Sequence, residues 1–256
     1  MKFKLIFYIL IFDTIFFCGI LSAFELSWYW LIFSVLPILI LLILACSKIQ
    51  WNFFLKGIHS GNSTQNKIAL TFDDGPHPLY TPQVLGFLDK HSIKATFFCI
   101  GKNVKEYPYL VERIINEGHT IGNHSFSHSN FIDFKNKNGW LKEIKETDLE
   151  IQKITGQKPL FFRPPFGVTT PHLARAIKKT QHLVIGWNVR SFDTRNLPAE
   201  KIVRKISPKI QASSIILLHD RHERILPILE QLLPKIVQKN LSFTTINELI
   251  DEKPYF

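Results

Sequence analysis

Cysteine is scarce in this sequence, with only three among 256 residues. Cys18 and Cys46 lie in apolar runs, and Cys99 ends a strand-like run. No spacing between them is typical of a disulfide framework or a zinc ribbon, so neither is expected to support the fold. Patterns typical of nucleic-acid-binding modules are also missing, and we expect no nucleic-acid partner.

Charge is nearly absent from the first 47 residues. Asp13 is the only charged residue between positions 5 and 24, and positions 28–46 carry no charge at all. Each run approaches the length of about 20 residues that a helix needs to cross a bilayer. We therefore expect residues 1–47 to form a membrane anchor of two transmembrane helices, joined as a hairpin at residues 25–27.

A cleaved signal peptide is the alternative for residues 1–23. Lys2 and Lys4 would be its basic start, and the triplet Leu21–Ala23 its cleavage site. The hairpin is favoured because the first apolar run is long for a signal peptide and Leu21 stands where a small residue is usual. The loop between the runs lacks Lys and Arg, so the positive-inside rule places both chain ends in the cytoplasm.

The net charge of +10 lies entirely beyond the apolar segment. Lys2 and Lys4 balance Asp13 and Glu25, which leaves 29 of 31 basic and 19 of 21 acidic residues in the remainder. A surface this basic would attract anionic lipid headgroups or a phosphate-bearing substrate. A solvated basic face without a ligand is the alternative, and composition does not separate the two.

A polar stretch at residues 57–66 indicates a linker over 48–66, followed by a folded domain over 67–250. Within that domain, strand-like apolar runs and amphipathic helical stretches alternate about seven times. This alternation predicts an α/β domain with parallel strands, either a doubly wound sheet or a barrel. Both architectures gather the active site at the carboxyl ends of the strands.

Polar and ionisable side chains stand at those predicted strand ends. They are Asp73, Asp74, His124, His128, Arg163, Asp193 and His219. Because the strand ends share one edge of the fold, we expect these residues to surround a single pocket even though they are distant in sequence.

The segment HSFSH places His124 and His128 four residues apart. On a helical turn both imidazoles would lie on one face, which is a common arrangement for binding a divalent metal. The pair alone is weak support, since such pairs also occur on solvated surfaces. A carboxylate from another strand would complete a site with open positions for water and substrate.

The adjacent acids Asp73 and Asp74 fit that chemistry. One carboxylate could bind the metal while the other takes a proton from a water whose pKa the metal lowers from about 15.7 toward about 7. Arg163 could hold the free carboxylate, and His219 could protonate a leaving group. The structural alternatives are a capped turn for the acids, a stiff corner for Arg163 and an ordinary buried histidine for His219.

In this order the motifs resemble the polysaccharide deacetylase family, also known as the NodB-homology domain or carbohydrate esterase family 4. TFDDGP, HSFSH, RPPFG and LLHD match its first, second, third and fifth motifs, and the similarity covers roughly residues 66–250. The resemblance implies that residues 67–250 are a catalytic domain with a distorted (β/α)7-type barrel, preceded here by the helical hairpin.

The resemblance also implies roles for individual residues. Asp73 is expected to be the general base, with Arg163 orienting it. Asp74, His124 and His128 are expected to bind a divalent metal ion, which in this family is usually zinc.

For the other side of the pocket, the resemblance implies that His219 is the general acid and that Asp193 hydrogen-bonds it and raises its pKa. The backbone N–H of Phe166 would help to hold the oxyanion. The fourth motif departs from the family pattern, because Arg190 replaces its first aspartate and Thr194 replaces its tryptophan. This departure is expected to alter substrate preference while leaving the proton-transfer and metal residues complete.

Together these expectations define a metal-dependent hydrolase that removes N-acetyl groups from amino sugars of a polysaccharide or a lipid-linked glycan. Its partners would be that N-acetylated glycan and the membrane lipids. A membrane-tethered glycan-binding protein without deacetylase activity is the alternative, which the departure in the fourth motif favours. The family usually works outside the membrane, whereas the charge rule indicates the cytoplasm, so the side of the catalytic domain is left open.

Overall fold

The computed structural model of the chain describes residues 2–61 and 66–256. These residues contain ten α-helices, which are Lys2–Ala23 (α1), Ile32–Ser47 (α2), Tyr80–Lys90 (α3), Gly101–Glu106 (α4), Pro108–Asn116 (α5), Lys137–Thr155 (α6), Pro171–Thr180 (α7), Ala199–Ile206 (α8), Ile225–Val237 (α9) and Ile246–Ile250 (α10). They also contain nine β-strands, which are Gly57–Ile58 (β1), Lys67–Asp73 (β2), Thr96–Cys99 (β3), Thr120–Asn123 (β4), Phe161–Phe162 (β5), Leu183–Ile185 (β6), Val189–Arg190 (β7), Ile215–His219 (β8) and Ser242–Thr244 (β9).

The nine strands form one sheet through parallel pairs. Their order is β1-β6-β5-β4-β3-β2-β8-β7, with β9 beside the first half of β2. The sheet curls into a half-barrel, and its edge strands β1 and β7 do not pair with each other within the described chain. The predicted α/β fold with a distorted barrel is confirmed in this open form.

Two strands were not among the seven predicted. β1 forms inside the stretch predicted to be a linker, because Gly57 and Ile58 pair with β6. The apolar run at residues 182–189 is divided at Gly186 into two strands, so that β6 pairs with β5 and β7 pairs with β8. The placement of the domain boundary at residue 66 stays a prediction.

The central strand β2 shows how the sequence positions the site. Ile68, Leu70 and Phe72 are buried in an apolar cluster with side chains of α3 and α9. Successive side chains on a strand point to opposite faces, so Thr71 and Asp73 face the inside of the curled sheet. Asp73 is the last residue of β2, and its carboxylate therefore lies at the carboxyl edge of the inner face.

The N-terminal helices α1 and α2 pack against each other. Within the described residues, one segment is long and apolar enough to cross a membrane, namely Trp28–Ser47, with 20 residues and a mean hydropathy of 2.7. Among the same described residues, the apolar helical segment Tyr8–Ala23 is shorter than that. The expected pair of transmembrane helices is therefore not supported, and one candidate span remains on length and composition alone.

Candidate active site

The carboxyl ends of the central strands meet around a cavity of about 190 Å³. Six of the eight predicted site residues line it, and these are Asp73, Asp74, His124, His128, Phe166 and His219. The other two, Arg163 and Asp193, are completely buried and hydrogen-bond to residues of the cavity wall. All eight are thus brought together at one site, while their individual roles stay predictions.

Asp74, His124 and His128 form a cluster whose ligand atoms lie within 4.8 Å of one another. Asp74 Oδ1 is 3.3 Å from His124 Nε2 and 3.2 Å from His128 Nε2. In a tetrahedral zinc site with bonds of about 2.0–2.1 Å, neighbouring ligand atoms are separated by about 3.3–3.4 Å. The two spacings are therefore those expected around a shared ion.

The hydrogen bonding of His124 supports the same interpretation. Its Nδ1 lies 2.8 Å from the backbone oxygen of Arg163, which can only accept, so Nδ1 carries a proton. In the neutral ring, Nε2 then presents a lone pair to Asp74 Oδ1, which is buried and has no other hydrogen-bond partner in the described chain. Two such acceptors repel each other unless a cation or a proton lies between them. The residues present therefore fit a divalent ion.

The ionisation states of the cluster favour metal binding as well. Burial, followed by the charge of His124, lowers the pKa of His128 to about 4, so its ring is neutral at pH 7. Burial alone would raise the pKa of Asp74, but the neighbouring histidines hold it well below its usual range. A neutral imidazole and an ionised carboxylate are the forms that bind metal.

The two imidazoles converge through a loop, so the helical turn suggested by their spacing was wrong. Ser125 and His128 adopt left-handed backbone conformations, with φ of 64° and 44°. The buried carboxylate of Glu143 accepts the backbone N–H groups of Phe126 at 3.0 Å and Ser127 at 2.7 Å. Glu143 lies on α6 and was missed by sequence reasoning, because nothing within the HSFSH motif points to it.

Asp73 is held by the completely buried side chain of Arg163. Arg163 Nη1 donates to Asp73 Oδ1 and to Thr71 Oγ1, each at 2.7 Å. Its Nε and Nη2 donate to the backbone oxygens of Ile185 and Gly186 at 3.1 and 3.0 Å. The guanidinium is thereby fixed on four acceptors, and it orients the Asp73 carboxylate by a charge-assisted hydrogen bond.

The glycine after the acid pair is required by packing. A Cβ on Gly75 would collide with the buried carboxylate of Asp220, which follows β8. Asp220 accepts a hydrogen bond from Thr81 Oγ1, and burial raises its pKa to about 7. Sequence reasoning missed Asp220, since this close approach joins segments about 140 positions apart.

His219 is bound twice by Asp193. Its Nδ1 lies 2.7 Å from Asp193 Oδ1, and its backbone N–H donates to Oδ2 at 2.8 Å. Burial alone would lower the pKa of His219, but the hydrogen bond and charge of Asp193 raise it to about 9. The ring is therefore protonated at neutral pH and can act as a proton donor.

Two further residues of this region were missed. His222 Nε2 lies 3.2 Å from Asp193 Oδ2, so two histidines share one carboxylate. Arg221 Nε donates to Asp74 Oδ2 at 2.9 Å, opposite the oxygen that faces the imidazoles. His222 could have been found from the sequence, because it is a second histidine three positions after His219.

The departures in the fourth motif, Arg190 and Thr194, both line the cavity. Trp187 and Phe192 line the same cavity. The guanidinium of Arg190 lies 5.4 Å from the Trp187 ring and 4.9 Å from the Phe192 ring. An aromatic wall able to pack against a sugar is therefore present, and it carries a positive charge.

Comparisons with known proteins show the family of this chain. The polysaccharide deacetylase family matches residues 60–185. A peptidoglycan-N-acetylglucosamine deacetylase of Bacillus cereus is 36% identical over 194 residues, which cover 73% of this chain and 89% of the relative. The chain belongs to the polysaccharide deacetylase family.

Solved structures extend the comparison to three dimensions. The crystal structure of the Bc1960 peptidoglycan N-acetylglucosamine deacetylase has a TM-score of 0.73 and 30% identity, covering 77% of this chain and 94% of that one. A pseudoenzyme of the same family from Bacillus anthracis has a TM-score of 0.71 and 27% identity, covering 77% and 70%. Because this fold occurs both in a deacetylase and in a pseudoenzyme, activity has to be argued from the site.

Proposed function

We propose that this protein hydrolyses the N-acetyl group of an amino sugar within a polysaccharide. The division of labour between adjacent acids carries the proposal. Asp74 lies 3.2 and 3.3 Å from two imidazole nitrogens, whereas Asp73 is bound by Arg163 at 2.7 Å. One acid is thereby placed to bind a cation, and the other is left to act as a base.

Asp74, His124 and His128 would hold the divalent ion, and two histidines with one carboxylate suit zinc. When bound, the ion would polarise the amide carbonyl and lower the pKa of the attacking water. Asp73 would take the proton of that water, with Arg163 keeping its carboxylate aimed at the cavity. A positioned base of this kind typically contributes about 10²–10⁴-fold to the rate.

His219 would protonate the departing amine. Its Nδ1 is committed to Asp193, so Nε2 is the nitrogen left to donate. The pKa of about 9 keeps that proton in place at neutral pH. The backbone N–H of Phe166, in the cavity wall, is proposed as a donor to the oxyanion.

The proposed substrate class is an N-acetylated glycan of the cell wall, with a lipid-linked amino sugar as the narrower alternative. The Bacillus cereus relative is named for N-acetylglucosamine of peptidoglycan. Trp187 and Phe192 would pack against a face of the sugar ring. Arg190 makes no ion pair with any described residue, so it is available to an anionic group of the substrate.

The test is acetate release by the full chain from peptidoglycan and from N-acetylglucosamine oligomers, measured with and without a chelator. We expect release that stops when the metal is removed and returns when zinc is added. The Asp73→Asn variant, purified in the same way, is the control for contaminating activity. No release from either substrate by the metal-loaded wild type would overturn the proposal.

A glycan-binding protein without activity remains the second candidate function. The specific observation in its favour is the replacement of two fourth-motif residues by Arg190 and Thr194, in a fold shared with a pseudoenzyme. It predicts saturable binding of glycan fragments that does not change when Asp73 is replaced and is not followed by acetate release.

The N-terminal 47 residues are proposed to anchor the catalytic domain in a membrane, through the candidate span Trp28–Ser47. Protease accessibility of a tag placed after Phe256, in intact cells, would identify the side of the domain. Digestion from outside would fit a cell-wall substrate, and protection would fit an intracellular precursor.

A further inference from the structure

The candidate transmembrane helix ends directly on the catalytic domain. The backbone oxygen of Cys46, in the last turn of α2, accepts the N–H of Thr169 at 2.9 Å. Ile49, one turn further, is buried in the apolar cluster inside the sheet. Gln50 Nε2 donates to the backbone oxygen of Trp187 at 3.1 Å. No free linker therefore separates the apolar helix from the domain.

These contacts lie on the face of the domain that carries the cavity. Trp187 lines the cavity itself. Thr169 is three residues after Phe166, and three residues span at most about 11 Å. The Phe166 ring lies 4.7 Å from the ring of His128. The end of α2 is thus joined to the cavity wall by short, direct connections.

Two exposed aromatic side chains flank a buried residue that shares an apolar cluster with this helix end. Phe131 and Phe134, in the loop after HSFSH, are 76% and 85% exposed. Ile132 between them is completely buried in the same apolar cluster as Ile49, and it holds the loop against the domain. The carboxylate of Asp133 is close enough to Cys46 to interact with it electrostatically. The segment that carries both exposed phenyl rings is therefore attached to the same part of the domain as the end of α2.

We propose that Phe131 and Phe134 insert into the membrane interface and hold the mouth of the cavity at the lipid surface. The proposal rests on the proposed membrane span. A helix of 20 residues rises about 30 Å, the thickness of the hydrocarbon core, so its end lies at the boundary of that core. A domain docked on Cys46 must then touch the interface, where aromatic side chains are favoured and the exposed Lys48 meets headgroups.

The consequence concerns which glycans the enzyme reaches. A cavity held at the lipid surface takes N-acetylated glycan that lies against the membrane, whether as newly made strands or as lipid-linked units. Distant layers of a mature polymer would be out of reach. The proposed substrate is thereby restricted to N-acetylated glycan at the membrane surface, and the proposed deacetylation chemistry is unchanged.

Spin labels on the full chain in lipid vesicles test the placement. Labels are attached through Phe131→Cys and Phe134→Cys in a background with Cys18→Ser and Cys46→Ser. Collision rates are measured with oxygen, which partitions into lipid, and with a water-soluble nickel chelate. We expect both labels to favour oxygen and to exclude the chelate several-fold relative to control positions.

The matched controls are Leu149→Cys on α6 and Val237→Cys on α9, at apolar residues that are 55% and 57% exposed. Labels there should contact the nickel chelate freely. If labels at 131 and 134 contact it equally, the proposal is overturned. Shielding from both reagents would indicate a protein contact, such as a second copy, and would overturn it as well.

Activity supplies a second and independent readout. The double variant Phe131→Ser, Phe134→Ser should release acetate from a soluble oligomer at the wild-type rate and from vesicle-bound glycan several-fold more slowly. Equal rates on both substrates would contradict the proposal. Wild-type inactivity on both the soluble oligomer and the vesicle-bound glycan would instead overturn the proposed function, whereas the collision measurement needs no activity.

Discussion

The two sides of the cavity are built on opposite plans. On the side of the proposed base, buried Arg163 donates to the carboxylate of Asp73. Its other hydrogen bonds go to Thr71 and to two backbone oxygens. On the side of the proposed general acid, the buried carboxylate of Asp193 is hydrogen-bonded by His219, His222 and Ser191. Asp73 therefore depends on one arginine, whereas Asp193 also binds a second histidine, His222. Both departures from the family pattern, Arg190 and Thr194, lie on the side of Asp193 in the sequence. Changes on the base side should therefore cost more.

The largest effect is expected for Asp73→Asn. An amide keeps the size of the side chain but cannot accept the proton of the attacking water, so kcat should fall by about 10²–10⁴-fold or more. Acetate release from a soluble oligomer measures it, with the exposed Asp89→Asn on α3 as the matched control. A loss of less than tenfold would show that Asp73 is not the general base.

Asp193→Asn should give the next largest effect, and it should depend on pH. The raised pKa keeps His219 protonated until the pH passes about 9, and without the carboxylate the pKa falls to its ordinary value of 6.5 or below. The alkaline limb of kcat/KM should therefore move from near pH 9 to near pH 6.5. At pH 8 this costs about 30-fold through loss of the protonated form. An unmoved limb would show that Asp193 does not control the proton donor.

Arg190→Gln should act on substrate choice more than on chemistry. Removing a charge from the cavity wall should lower kcat/KM about five- to tenfold for glycans with a carboxylate or phosphate near the acetamide. Neutral oligomers should be affected little. Arg195→Gln, an exposed arginine 4.6 Å from the same Phe192 ring, is the control. Equal losses on charged and neutral substrates would exclude a role in selecting anions.

The smallest effect is expected for His222→Gln. Asp193 keeps both hydrogen bonds to His219 in this variant, so kcat/KM should change about two- to threefold and the alkaline limb should stay near pH 9. Rates at pH 7 and pH 9 measure it. A loss comparable to that of Asp193→Asn would show that His222 is as important for the reaction as Asp193.

The sequence predicted the site better than its surroundings. The motifs lie directly at strand ends, and parallel strands bring their carboxyl ends to one edge, so a local pattern was sufficient to gather seven residues, and the family resemblance added Phe166. Glu143 and Asp220 were missed because each acts on a motif from a distant segment. β1 was missed because two residues in a polar stretch carry no periodicity, and they become a strand only by pairing with β6.

The fourth motif shows the reverse case. Its tryptophan is replaced by Thr194, yet another tryptophan, Trp187, lines the same cavity from the bend between β6 and β7. The bend is fixed by two tertiary contacts, the hydrogen bond from Gly186 N–H to the backbone oxygen of Ile58 and the pairing of β7 with β8.

The most direct test of the account is the metal content of the purified full chain and of the matched variants Asp73→Asn and Asp74→Asn, by elemental mass spectrometry. We expect about one divalent ion per chain in the wild type and in Asp73→Asn, and almost none in Asp74→Asn. Full retention in Asp74→Asn, or loss in Asp73→Asn, would contradict the assignment of one acid to the ion and the other to the proton.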